Sequence, residues 1–275
     1  MTDVVCIGLA TRDTVWRVSA LPPSDGRVVA DDVAVAGGGP AATAAVTLAR
    51  LGVDVAFAGA VGDDDAGAFV RSGLEAEGVD VSAVRVVSGA VTAQSTVMVE
   101  PDGRRAIVHH PGSARATLEV PQARWAHVDH VGWSHVLALS QDVAVSVDGG
   151  NRIEGLELAR VALYAPTESA LREQVGDAQA ALDAGAEIVV VTRGADGADA
   201  YTADAAYHAE AVACEVVSTL GAGDVFHGAL LAWLVRGAPL VDALRAAATA
   251  AALSCRALDA RSAIPTLDVL EAALR

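Results

Sequence analysis

The chain has 275 residues, 53% hydrophobic and only 4% aromatic, so its core has to be built from alanine, valine and leucine. A formal net charge of −16 argues against a general nucleic-acid or anionic-membrane surface, and leaves room for a small anionic ligand in a locally positive pocket. Cys6, Cys214 and Cys255 are far apart and odd in number, which suggests neither a disulfide framework nor a thiolate zinc site; Cys214 and Cys255 read as small buried hydrophobes. All 19 basic residues are arginine. Without lysine there is no P-loop amine, Schiff base or PLP anchor, so any phosphate must be held by backbone N–H groups, arginine or a metal ion. The opening MTDVVCIGLA lacks the basic region of a secretory signal, and the apolar stretch Gly228 to Leu253 is broken by Arg236, Asp242 and Arg245, so a cytoplasmic protein without a membrane span is expected.

In chain order, DVVCIGLA reads as a first strand, and Asp13 falls just past it, where ligands of open α/β sheets gather. Residues 14–36 hold short alternating runs around the turn-like LPPSDG. The cluster GGGPAATAAV then opens a helix with Pro40 at its start and Gly52 as its stop. Gly37, Gly39 and Ala42 satisfy G-x-G-x-x-A, but Pro40 and the flap-like strand ahead of it argue against dinucleotide binding. VDVAFAGAVG is a strand, and Asp63, Asp64 and Asp65 are expected to cap a helix running to Glu77.

Residues 91–109 read as a hairpin, VTAQSTVMV and RAIVHH around PDGR. His109 and His110 point to opposite faces and cannot share a metal ion, which leaves His109 as the one able to reach a ligand. Four short antiparallel strands from these two segments, about 14–36 and 91–109, are expected to form a small second sheet. Only nine residues, Ser134 to Asp142, separate the next two apparent strands, too few for an ordinary parallel crossover. IVVVTRG is a buried strand that brings Thr192, Arg193 and Gly194 to its ligand-bearing end. Helices follow over Asp224 to Arg236 and Leu240 to Arg256. Val/Ile runs alternating with helices indicate an α/β fold with a mainly parallel central sheet, in a single domain over 1–275.

The most informative stretch is STLGAGDVFHGAL. Small residues ahead of a helix let a ligand approach its free N–H groups, and the helix dipole favours an anion there. The anion is either a phosphate or the carboxylate of Asp224 capping its own helix.

These residues resemble the ribokinase-like (PfkB-type) carbohydrate kinases nearly end to end. GGGPAATAAVTLARLG with GAVGDDDAGAFVRSGLEAEGV looks like that family's N-terminal signature, and STLGAGDVFHGALLAWL like its C-terminal one. The resemblance implies a three-layer ribokinase-like fold with a β-sheet lid, and ATP- and Mg²⁺-dependent phosphorylation of a hydroxyl on a small sugar or sugar derivative, ketose-type favoured. It makes Asp224 the base, with a low pKa, and Gly221, Ala222 and Gly223 the anion hole. Asp13, Gly38, Gly39, Thr43 and His109 would meet the sugar, and Thr192 and Gly194 the ATP phosphates. Glu168, in an eroded NxxE element, would order magnesium-bound water.

The motif wording is nearest to the bacterial sulfofructose kinases. His109 stands where that subgroup has an asparagine, and GWSH lacks its arginine. Ser218 replaces the acid that usually precedes TxGAGD, which leaves a monovalent-cation site in doubt. A homodimer through the lid is expected. The alternative within the same fold is a catalytically impaired sugar or nucleotide sensor.

Overall fold

The computed structural model describes residues 2–275. Its strands are β1 (Thr2–Ile7), β2 (Thr11–Val18), β3 (Ala30–Gly38), β4 (Val55–Gly62), β5 (Val84–Val87), β6 (Gln94–Val99), β7 (Arg105–His110), β8 (Ala123–Val128), β9 (Ala144–Gly149), β10 (Leu163–Pro166), β11 (Ile188–Thr192), β12 (Ala198–Tyr201) and β13 (Ala206–Ala209). The helices are α1 (Pro40–Arg50), α2 (Asp65–Ala76), α3 (Glu168–Gln174), α4 (Ala178–Asp183), α5 (Ala222–Val235), α6 (Leu240–Ser254) and α7 (Leu267–Ala273).

Nine strands form one twisted sheet in the order β13-β12-β11-β10-β9-β8-β1-β4-β5. It is parallel from β5 to β11, and β12 and β13 add an antiparallel hairpin at one edge. Both faces are covered, which is why the strands read as unbroken apolar runs. Along β1, Val4 and Cys6 enter a core shared with α1, α2, α5 and α6, while Val5 and Ile7 enter the opposite core with Trp133, Val136 and Leu171. Alanine in α1, α5 and α6 lets these helices pack closely. A Cβ on Gly228 would lie 2.8 Å from the Ala44 carbonyl, so α5 crosses α1 nearly backbone to backbone. Leu230 and Leu244 are wholly buried here, and truncating either to alanine would cost about 2–5 kcal/mol.

The second sheet has the order β3-β2-β6-β7, and here the expectation of four antiparallel strands is corrected: β2 and β6 run parallel. Both continue outward from parallel strands of the main sheet, β1 and β5, so they leave side by side in one direction and each turns back with its own partner. The register puts Asp13, Ser95 and His109 on one face, with Val15 and Val97 packed on Leu258, and puts Trp16, Val33, Val35 and Val108 on the other.

The expected nine-residue crossover is corrected: β8 ends at Val128 and β9 starts at Ala144, so the connection runs over residues 129–143, because GWSH belongs to a turn and not to a strand. Between β8 and β9 a 3-10 turn, Gly132–Ala138, stands where a helix is usual. A Cβ on Gly132 would overlap the Ile7 carbonyl, so the turn begins against the backbone of β1, and buried Trp133 and Val136 cover the sheet. Of the three acids in GDDD only Asp64 caps α2, accepting from Gly67 N at 2.8 Å; Asp63 instead accepts from Gly89 N at 2.9 Å.

Candidate active site

The site is assembled at the C-terminal edge of the parallel strands. Gly221 sits at φ 75 as the N-cap of α5, and a Cβ there would come within 2.5 Å of Ala260 Cβ, so glycine is needed twice over. Ala222 N–H donates weakly to Thr219 O at 3.4 Å, while among the described residues the N–H groups of Gly221, Gly223 and Asp224 have no protein acceptor. The carboxylate of Asp224 caps nothing, since α5 has no side-chain cap. The self-capping alternative is therefore set aside, and the helix start is left with open donors.

Asp224 is half-buried on the cleft floor. Burial pushes its pKa up to about 7, Asp148 and Asp129 add to the rise, and His227 and Arg261 oppose it. This corrects the expectation of a low pKa: nearby acids and lost solvation outweigh the helix N-terminus.

Asp13, on β2, is only 6% exposed, and a Cβ at Gly38 would overlap its Oδ2. Burial raises its proton affinity, partly offset by the Thr11 and Ser95 hydroxyls, Arg261 and His109. Asp13 Oδ1 and Thr11 Oγ1 are buried without a partner, the kind of polar atoms that ligand hydroxyls would satisfy. His109 Nδ1 lies 3.2 Å from Ser95 Oγ, one strand further along the same face. Gly39 begins α1 at φ 91, against the Leu9 carbonyl. Thr43 is not brought to the cleft: it is wholly buried under the glycine cluster, and its hydroxyl accepts from Arg261 Nε at 3.3 Å.

Arg261 was not legible in the sequence. It is a buried arginine whose Nη2 donates to Gly38 O at 2.8 Å, and burial lowers its pKa to about 10 against the pull of Asp13 and Asp224. Because Ala260 backs Gly221 and Arg261 backs Gly38, one short tail segment supports both glycine loops. Asp129 was missed as well. Wholly buried at the end of β8, it accepts from the N–H groups of Leu9 (2.8 Å), Val131 (2.8 Å), Gly132 (2.9 Å) and Ala41 (3.3 Å), tying β1 to the start of α1. A third unforeseen group is the buried pair Asp148 and His227, 3.2 Å apart, with His227 on α5 three residues after Asp224.

The second sheet reaches the helix start directly, for Arg105 Nη1 donates to Thr219 Oγ1 at 2.8 Å. A cavity of about 610 Å³ opens at the end of β1, bordered by Gly8, Leu9, Ala93, Arg115, Ser134 and His135. Glu168 follows β10, the neighbour of β9, while Thr192 and Gly194 stand at the end of β11, one strand further out. Glu168 is paired with Arg193 at 3.4 Å, and Arg193 also pairs with Asp199. Cys214 is half-buried rather than buried, and its thiol lies beside that of Cys255. No helix among the described residues is long and apolar enough to cross a membrane, and no three His, Cys, Asp or Glu residues among them are grouped to hold a metal.

The sequence profile of the pfkB family carbohydrate kinases matches residues 1–162 and again 150–267. The chain belongs to this family. It is 33% identical to the ATP-dependent ribose-1-phosphate kinase of Halopiger xanaduensis, across 100% of this chain and 98% of the relative. With the aminoimidazole riboside kinase of Salmonella typhimurium it shares 31% identity over 85% and 86% of the two chains. The ribokinase of Thermotoga maritima superposes with a TM-score of 0.86 at 23% identity, covering 100% of this chain and 99% of the other, and so shares its fold. The protein is thus a carbohydrate kinase with a ribokinase fold: a mainly parallel central sheet, covering helices and a small second sheet.

Proposed function

We propose that this kinase transfers the terminal phosphoryl group of ATP to a hydroxyl of a substituted ribose, with Asp224 as the base. The observation that carries the reading is the pairing, on one cleft floor, of an uncapped acid of pKa about 7 with unused N–H donors at the start of α5. A carboxylate poised near neutrality takes the proton as the hydroxyl oxygen bonds to phosphorus. The N–H groups of Gly221 and Gly223 receive the charge that develops on the phosphoryl oxygens, the role a lysine fills elsewhere. Asp13 and Gly38 hold the sugar hydroxyls, with His109 at the rim, and the second sheet acts as a lid through Arg105 and Thr219.

Thr192 and Gly194 flank the ATP phosphates. Mg²⁺ keeps several waters and binds largely through phosphates. Glu168 would hold one of those waters, and bound Mg²⁺ would neutralise phosphate charge.

A substituted ribose is favoured over a free ketose for two reasons. The relatives above are named for ribose 1-phosphate and a riboside. The 610 Å³ cavity at the end of β1 also offers Arg115, His135 and Ser134, and no carboxylate, to a substituent. ADP release measured across ribose 1-phosphate, ribosides, ribose and fructose tests this, and a clear preference for fructose would overturn it.

We also propose a homodimer formed by the outer face of the lid. Trp16, Val33, Val35 and Val108 form an apolar patch there, from 36% to 65% exposed, which the same face of a second copy would cover.

A further inference from the structure

The cavity of about 610 Å³ at the end of β1 is bordered by two arms from separate loops. One arm is the loop that returns from β7. Ser113 N donates to Val91 O at 2.8 Å, and Ser113 Oγ accepts from Val91 N at 2.9 Å, so this loop is pinned to the chain ahead of β6 just before Arg115. The other arm is the 3-10 turn Gly132–Ala138, which brings Ser134 and His135 to the cavity. Its inner rim touches the backbone of the sugar site. The Leu9 carbonyl closes on Gly39, where a Cβ would lie 2.3 Å away. The Ala93 carbonyl accepts at 3.1 Å from the N–H of Arg12, the residue before Asp13.

The side-chain donors here are suited to an anion. Arg115 Nη1 donates to the Ala114 carbonyl at 2.8 Å, which holds the guanidinium and leaves Nε and Nη2 for a pair of parallel hydrogen bonds. Glu119, the acid nearest to Arg115 in sequence, pairs with Arg85 at 3.6 Å instead. His135 Nδ1 lies 3.3 Å from Ser134 Oγ, so Nε2 is the ring atom left for a ligand. Asp129 stands behind the Gly8 wall, and its oxygens already accept from the N–H groups of Leu9, Ala41, Val131 and Gly132. Among the described residues no aspartate or glutamate lines the cavity, and no phenylalanine, tyrosine or tryptophan on which a base could stack. An arginine fork, an imidazole and a hydroxyl match the oxygens of a phosphate.

We infer that Arg115 and His135 form an anion subsite for the substituent on the sugar, so that the acceptor is a phosphate monoester of ribose rather than a neutral riboside. The two relatives named above differ on this point, and the lining of the cavity decides between them. The inference rests on the substituted-ribose reading of the preceding section, but its test needs no turnover.

Calorimetry on the full-length protein without nucleotide gives affinities for ribose 1-phosphate, ribose and methyl riboside. Ribose 1-phosphate should bind about 10-fold or more tighter than the other two. Arg115→Gln, a change at an exposed loop position, should weaken ribose 1-phosphate about 10–100-fold, the effect of losing a charged pair of hydrogen bonds. It should leave ribose binding unchanged, since ribose carries no group for Arg115. His135→Gln should act in the same direction and less. Methyl riboside bound as tightly as ribose 1-phosphate by the wild type, or ribose and ribose 1-phosphate weakened alike by Arg115→Gln, would overturn the inference. Failure of the preceding section shows separately, as ADP release that prefers fructose; a loss of ribose 1-phosphate binding confined to the Arg115 and His135 variants would still establish the subsite.

Discussion

Replacing Asp224 by asparagine should make the protein more stable at neutral and alkaline pH while destroying its activity. The folded-state pKa stands at about 7 against an ordinary 3.8, a rise of about 3 units, and each unit is worth about 1.36 kcal/mol. That amounts to about 4 kcal/mol forfeited when the carboxyl ionises in place. Asp224 is half-buried and its cleft edge is open, so solvent screens part of this, and about 2 kcal/mol is the expected net cost. For a chain of this length that is about 5 °C in Tm. The sign follows from the raised pKa. Stability from the protonated acid is fully present below about pH 4, declines as pH rises to 7, and stays level above it. Asparagine mimics the protonated form at every pH. Thermal unfolding at pH 4, 5.5, 7 and 8.5 should therefore show no advantage for Asp224→Asn at the lowest pH, a growing one to pH 7, and a plateau. A variant less stable than wild type at pH 8.5, or an advantage that shrinks as pH rises, would refute the account of how this acid is made basic.

Asp13→Ala should raise KM for the sugar about 10–100-fold while leaving ATP binding by calorimetry unchanged, since a charged hydrogen-bonding partner of the hydroxyls is lost; an unaltered KM would move the sugar site elsewhere. Sedimentation of the wild-type protein should show a dimer, and Val108→Arg, a change on the exposed outer face of the lid, should give a monomer.

Much of the architecture is legible in the sequence because its cause is local. The unbroken apolar runs of β1, β4 and β11 announce buried parallel strands, and Pro40 and Gly52 mark the ends of α1. The glycines before Asp224 announce a helix start open to an anion. What is not legible depends on partners distant in sequence. Alternation along β2 and β6 identifies strands but not the direction in which they pair, and only their common origin at the main sheet makes them parallel. The hairpin β12–β13 is built from alanine, aspartate, tyrosine and histidine, without the branched residues that signal a strand. Arg261, Asp129 and Asp148 are single residues in unremarkable surroundings, and the register of separate elements alone brings them under the glycine loops. The basicity of Asp224 is a property of that assembly, since the motif itself shows one acid beside a helix dipole and so points the other way.

The central claim is that Asp224 takes the proton in ATP-dependent phosphorylation of a sugar hydroxyl. The most direct measurement is ADP release with ATP and Mg²⁺ over the sugar panel, for wild type and Asp224→Asn side by side, with nucleotide binding verified for both. The account predicts turnover on a ribose derivative that falls about 100- to 10,000-fold in the variant while the nucleotide still binds. Turnover that survives the substitution, or a wild-type protein that binds ATP yet releases no ADP with any sugar, would contradict it, and the second result would leave a sensor in the kinase's place.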